Sequence, residues 1–285
     1  MAGLSTKAIK TRIKSMQSTR QITKAMELVA SSKLRRAQEQ MAKSRPHYEA
    51  LYETLGDIAA ADSELSSPYI GERDVAKTCW IVIAGDRGLA GGYNSNVLRM
   101  AAEKMAGCDS VVVPIGKKAV EFFRRRGVPF VTAAYAEAAD VSVSDCFTLA
   151  RTLCDLYRAG EFGEIHIVFT SFVSVLVQNP STLQLLPLSK ETEPVSGSSP
   201  RQVITYEPDS ETVYNAIVPE YLGGVVYGAL CESVASELGA RRTAMDAATK
   251  NAGEMIDDLN LKYNRARQGA ITQEITEIVA GAQDE

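Results

Sequence analysis

The two ends of this chain carry the same apolar rhythm, and that rhythm restricts the fold more than any other property of the sequence. Near the C-terminus Ile271, Ile275 and Ile278, with Ala282 after them, recur at the 4-3-4 spacing of a helix with one apolar seam. Near the N-terminus Ile9, Ile13 and Met16 repeat the spacing, and Leu34, Ala37 and Met41 resume it on the same heptad count. Two such helices predict a coiled coil wound from the two ends of the chain. Residues 5–45 contain no Pro and no Gly, enough for a helix of roughly 60 Å at about 1.5 Å per residue. Pro46 predicts a kink or a restart, after which Tyr48, Leu51, Tyr52 and Leu55 keep helical spacing as far as Gly56. No further Pro follows Pro219, so the last segment reads as one helix approaching roughly 100 Å.

Between these helices the pattern changes. Residues 63–74 turn to Ser, Pro and Gly, which predicts a connection. Residues 80–84 then read as a buried strand, followed by a glycine-rich turn and a helix starting near Asn94 and Ser95. Strands are predicted at 110–115, 129–133 and 164–170, and helices at 118–126 and 145–159. Residues 183–188 and 202–206 predict an edge hairpin across a polar linker at 189–199. Alternation of this kind predicts a Rossmann-like α/β domain with a mostly parallel sheet covered by helices. The division expected is residues 1–57 for an N-terminal coiled-coil helix, 75–207 for the α/β domain and 210–285 for a C-terminal coiled-coil helix.

A chain of 285 residues with 45% hydrophobic content can bury an ordinary core. Its longest apolar runs are strand-sized, so no membrane insertion is expected, and residues 1–30 lack the apolar block of a secretory leader. The five cysteines, Cys79, Cys108, Cys146, Cys154 and Cys231, include no closely spaced pair and suggest neither a disulfide frame nor a zinc site. His47 and His166 lie far apart with no ligand-spaced neighbours, so no metal is expected. The net charge of -4 conceals an asymmetry. Residues 1–45 hold eleven basic side chains against Glu27 and Glu39, whereas residues 220–285 hold six basic against eleven acidic. A basic helix beside an acidic one gains from pairing, and the surplus positive charge must face something else.

Several motifs admit more than one reading. The stretch Gly85 to Asn94 lies between a strand and a helix, where phosphate-binding turns occur, but it has neither the Lys of a phosphate loop nor the dinucleotide glycine spacing. A tight structural turn is one reading and nucleotide binding the other. Arg124, Arg125 and Arg126 end a predicted helix, where cations suit the dipole, and read as a solvated terminus. No catalytic set is credible with two scattered histidines, and no cofactor is implied. The basic first helix suits nucleic acid, an acidic protein surface or plain solvent; its charges, from Lys7 to Arg36, run all round the helix, and no aromatic residue for base stacking precedes Tyr48. Polar Arg20, Thr23 and Glu27 interrupt the heptad while Ile22, Met26 and Val29 offer apolar contacts on a shifted line, the arrangement of a shaft inside a sleeve.

Three stretches together resemble one family over essentially the whole chain: Ile22 through Ala30, the turn Asp86-Arg87-Gly88-Leu89, and Gln268 through Ala282. That family is the gamma subunit of F-type ATP synthases, the central rotor shaft of the complex. The resemblance implies an antiparallel coiled coil of terminal helices with a Rossmann-like domain at its base. It further implies a non-catalytic subunit surrounded by three alpha and three beta subunits, meeting the epsilon subunit and the membrane c-ring, and working peripherally on the cytoplasmic face of a bacterial cell membrane. Absence of an inserted close cysteine pair sets the chain apart from chloroplast members with a thiol switch.

By the same resemblance, Arg267, Gln268, Thr272 and Glu274 are polar contacts to the surrounding subunits, and Arg241 is a nearby coupling position. Lys24 and Met26 face the acidic lever of beta. Ile278, Val279, Ala280 and Ala282 form an apolar bearing, and Tyr206, Glu207 and Asp209 belong to the base that meets the c-ring and epsilon. The alternative is a coiled-coil protein that binds nucleic acid through its basic first helix; nothing in the resemblance calls for a nucleic-acid partner.

Overall fold

A computed structural model describes residues 6–62, 64–71, 73–188 and 206–283, with the side chains of 280–283 left aside. The chain falls into two compact units, Met1–Ser31 with Arg241–Glu285, and Ser32–Ala240. Two helices take part in both: α1, Thr6–Ala61, and α5, Ser210–Gln283.

α1 runs unbroken through Pro46 and past Gly56 to Ala61, so neither the restart expected at the proline nor the stop at the glycine occurs. Proline removes one backbone donor and crowds the preceding turn. Packing overrides that local cost here, because Tyr48, Leu51, Tyr52, Leu55 and Ile58 bury themselves against the core of the larger unit immediately after it.

In that unit four strands, β1 (Thr78–Ile83), β2 (Ser110–Ile115), β3 (Glu164–Phe172) and β4 (Gln178–Leu186), lie in the order β2-β1-β3-β4. β1 pairs in parallel with β2 and β3, while β4 closes one side antiparallel to β3. All six residues of β1 are buried, as expected of a strand covered on both faces. On one face Trp80, Val82 and Ala84 meet α2 (Tyr93–Lys104) and α3 (Lys117–Arg125) through Val97, Leu98, Ala101, Ala119 and Phe123. On the other, Cys79, Ile81 and Ile83 meet α4 (Val143–Arg158), the later part of α1 and the first part of α5. α4 begins with a capping box in which Ser142 Oγ accepts from the Asp145 amide and the Asp145 carboxylate accepts from the Ser142 amide at 2.8 Å. In α5, Gly228 gives way to Tyr48: a Cβ there would lie 2.7 Å from the tyrosine ring. Leu34 and Ala37 of α1 pack on Ala235 and Leu238 of α5, and Tyr52 on Tyr221, so the helices run antiparallel.

Two expectations need correction. Residues 129–133 make no strand: only an isolated bridge joins Phe130 to Val112, because a single two-way contact with the edge of β2 satisfies this segment. Leu183 belongs to β4, whose hairpin partner is β3; residues 202–205, the other half of the expected hairpin, and the linker 189–199 lie outside the described residues.

Candidate functional site

In the smaller unit α1 and α5 lie together, and the seam is not the one the C-terminal rhythm suggests. Ile9 and Ala30 of α1 and Met245, Ala252 and Ile256 of α5 are the buried side chains. Ile271, Ile275, Ile278 and Val279 are bare, at 46%, 56%, 71% and 53% exposure. Every side chain of α5 from Arg267 to Val279 is exposed. Thr23 Oγ1 accepts from Thr249 Oγ1 at 2.8 Å, so the polar interruption of the heptad is itself a cross-helix bond. Measured along two antiparallel helices from that bond, Thr6 comes level with the region just before Arg267. Among the described residues, α1 therefore ends where the bare part of α5 begins.

Around the threonine pair lies a ring of charge. Lys24 Nζ bonds Glu27 at 2.8 Å, and Lys250 Nζ bonds Asp246 at 2.7 Å. The bond from Lys250 holds the Asp246 carboxyl below its usual range, with Lys24 and Arg242 adding to it; Asp246 in turn raises Lys250, with Glu27 adding to that. Met26 is half-buried beside the seam, while Ile22, Leu28 and Val29 stand 60%, 59% and 56% exposed on the other faces. Arg241 is half-buried. Arg267, Gln268 and Glu274 point into solvent, and Thr272 donates its hydroxyl to the Gln268 carbonyl at 2.9 Å. The structure thus brings Arg267, Gln268, Thr272, Glu274, Ile278 and Val279 onto one bare helical segment, and Lys24 and Met26 beside the threonine pair. Ala280 and Ala282 lie outside the described side chains. Thr249, Asp246 and Lys250 escaped the sequence reading, although the i,i+4 spacing of Asp246 and Lys250 is a recognisable helix signal.

Tyr206, Glu207 and Asp209 belong to the larger unit. Tyr206 packs on its core, where burial first and the Asp57 charge second push its hydroxyl pKa upward. Glu207 is exposed. Asp209 caps α5: its carboxylate accepts from the Thr212 amide at 2.7 Å and the Thr212 hydroxyl at 2.9 Å, which holds its pKa down.

The turn after β1 is filled by the chain itself. Asp86 accepts from the amides of Lys117 at 3.1 Å, at the start of α3, and of Ala138 and Ala139 at 2.9 and 3.1 Å. Asn94 Oδ1 accepts from the Gly85 amide at 2.8 Å, and a Cβ on Gly116, where φ is 94°, would fall 2.1 Å from the Ala84 carbonyl oxygen. The Asp86 carboxylate is thus spent on the N-terminus of α3 and on the segment before α4, and Asn94, in the first turn of α2, reaches back to the Gly85 amide, so the turn is held by its own side chains. The structural reading of this turn is the one the geometry favours. Arg124 to Arg126 are exposed, with the Arg126 guanidinium 3.5 Å from the Phe122 ring centroid. Among the described residues no group of three or more His, Cys, Asp or Glu is placed to hold a metal ion, and no helix is long and apolar enough to cross a membrane.

Two long helices packed side by side, one of them carrying a bare apolar segment, are what a coiled-coil stalk chain presents. The ATP synthase family model matches residues 5–284, and the chain belongs to the ATP synthase gamma-chain family. Among its relatives, the "ATP synthase gamma chain" of Desulforamulus reducens is 44% identical over 280 residues, covering 98% of both chains. That of Ruminococcus albus is 43% identical over 277 residues, covering 95% of this chain and 96% of the relative. The Acetobacterium woodii relative, "ATP synthase gamma chain, sodium ion specific", is 40% identical over 292 residues, covering 96% and 97%. A chain of the Euglena gracilis mitochondrial ATP synthase shares the fold at a TM-score of 0.65 and 17% identity, covering 98% of this chain and 93% of its own length.

Proposed function

We propose that this member of the gamma-chain family is the central rotary shaft of an F-type ATP synthase, coupling ion flow through a membrane c-ring to ATP synthesis, or hydrolysis, in surrounding alpha and beta subunits. It is a non-catalytic subunit: the reaction belongs to its partners. The observation that carries this reading is the bare end of α5. Burying Ile271, Ile275, Ile278 and Val279 is worth about 1.5 to 3 kcal/mol for each side chain, and nothing in the described chain does so. A surrounding sleeve supplies the cover. Apolar side chains suit a turning contact because dispersion has no preferred direction, so no strong bond must break at each step.

Within that sleeve Arg267, Gln268, Thr272 and Glu274 make the polar contacts to alpha and beta, with Arg241 nearby, and Ile278 and Val279 run in the apolar bearing. Lys24 and Met26 face an acidic segment of beta, where Lys24 trades its bond to Glu27 for a partner carboxylate. Tyr206, Glu207 and Asp209 lie at the base toward the c-ring and epsilon. Residues 1–57 and 210–285 act as the shaft and 75–207 as its foot, on the cytoplasmic face of the membrane. Energy passes both ways, since coupling between distant sites is reciprocal. The basic helix needs no nucleic acid: its charges are dispersed and partly paired, as in Lys24 with Glu27 and Arg45 with Glu49.

The test mixes the chain with separately purified alpha and beta subunits and reads complex mass and ATPase rate. A complex of three alpha, three beta and one copy of this chain, hydrolysing ATP far faster than the subunits alone, supports the shaft; no complex and no stimulation ends the reading.

A further inference from the structure

We infer that Glu232, Ser233 and Ser236 of α5 are positioning residues that lock the shaft helix to the α/β sheet and so carry torque between them, an inference that rests on the shaft reading. It starts from a gap in the sheet. β1 pairs with β3 only as far as Val82, which stands opposite Val168. Alternate residues of a strand present their N–H and C=O to the same edge, so Thr170 and Phe172 continue the edge that Val168 offers to β1. No β1 residue stands opposite them, and across the other edge Thr170 faces Pro180, whose missing N–H fits a pair that exchanges no ladder bond and leaves the polar groups of Thr170 on the β1 side. A strand end left so, and buried, would waste its backbone polar groups.

α5 completes it. The Thr170 amide donates to Ser233 Oγ at 3.2 Å, Ser236 Oγ donates to the Thr170 carbonyl at 3.1 Å, and the Phe172 amide donates to the Glu232 carboxylate at 3.3 Å. Ser233 and Ser236 are 1% and 0% exposed, and Thr170 is 2% exposed. One turn of helix thus continues a β-edge with side chains in place of a strand. Beside it, Gly85 makes room for Glu237: a Cβ there would lie 2.7 Å from the Glu237 carboxylate oxygen, which seats the same turn of α5 against the end of β1. Apolar packing resists separation but permits rolling. Directional bonds from residues 232, 233 and 236 to a fixed backbone edge oppose rolling about the helix axis. A shaft turned from a foot needs such a joint.

The experiment uses the assembled synthase in inverted membrane vesicles, measuring ATP hydrolysis and ATP-driven ion uptake together, with hydrogen exchange at the Thr170 and Phe172 amides of the isolated chain as an independent reading. Ser233→Ala with Ser236→Ala should speed exchange at Thr170 about tenfold or more. It should leave hydrolysis within about twofold and lower ion uptake per ATP by about threefold or more. Glu232→Leu, at a half-buried position, should act in the same direction if the double variant does not assemble, and Glu232→Gln, which keeps an acceptor for Phe172, should restore uptake. Unchanged exchange in the serine variant overturns the joint. Faster exchange with uptake per ATP as in the parent overturns its torque role. Failure of the parent chain itself to assemble with alpha and beta overturns the shaft reading, and the torque role with it, while the exchange result stands separately.

Discussion

Asp86 is the side chain on which the α/β unit turns. Its carboxylate is the shared acceptor for amides at the start of α3 and in the segment before α4, and Lys117 adds an ion pair to Glu137 at 2.8 Å across the same two segments. Asp86→Ala takes the acceptor from three backbone amides, of which only that of Ala138 is part-buried, and should lower stability by about 1 to 2 kcal/mol in urea unfolding, with Asp86→Asn costing less because one acceptor oxygen remains. The cysteines divide as sharply. Burial pushes the thiols of Cys79, Cys146 and Cys154 up to about 12, and raises that of Cys231. Cys108 alone is exposed. An aromatic disulfide reagent at pH 8 should therefore titrate one thiol rapidly in the native chain and all five after denaturation, and loss of the fast thiol in Cys108→Ser would identify it. The motif around Asp86 could be found in the sequence because glycines and a short polar side chain announce a turn. That the carboxylate bonds Ala138 and Ala139, more than fifty positions away, could not be found, since it depends on how the sheet stacks.

Helices and strands followed from local pattern wherever one face or both were plainly apolar. β2 runs over the residues that the run of valines marks, and β1, α2, α3 and α4 begin within a few positions of their expected starts. Pro46 and Gly56 misled because helix signals are weak beside tertiary burial of the next two turns. Residues 129–133 misled because a strand-like composition says nothing about how many neighbours the edge of β2 will offer. The seam of α5 misled in a more instructive way: the spacing at Ile271, Ile275 and Ile278 is real, but the apolar face it makes stays bare. Periodicity specifies a partner surface without saying which chain provides it. Hydrogen exchange of the isolated chain should consequently be fast from Arg267 onward and slow between Tyr214 and Leu230, where α5 is buried. Uniform protection along α5 would contradict the bare segment.

For the assembled molecule the bare segment makes a sharper demand. Gln268 and Thr272 sit on it without a cross-helix partner among the bonds described, and their replacement by Ala removes no buried contact. Gln268→Ala with Thr272→Ala should leave the urea midpoint of the free chain within about 0.5 kcal/mol of the parent, yet weaken assembly with alpha and beta or slow ATP turnover. Unchanged assembly and turnover would remove both residues from the contact set. On the proposed bearing role of Ile278 and Val279, truncation from Ile278 onward should be milder on turnover, a guide gripping less than a polar contact. The same uncovered isoleucines have a consequence for supply. A copy of this chain without its sleeve exposes an apolar ridge to chaperones, proteases and other copies, so its lifetime depends on how quickly partners enclose it. Production of the stalk in excess of its complex is self-correcting: the unsheathed surplus is the form most readily aggregated or destroyed.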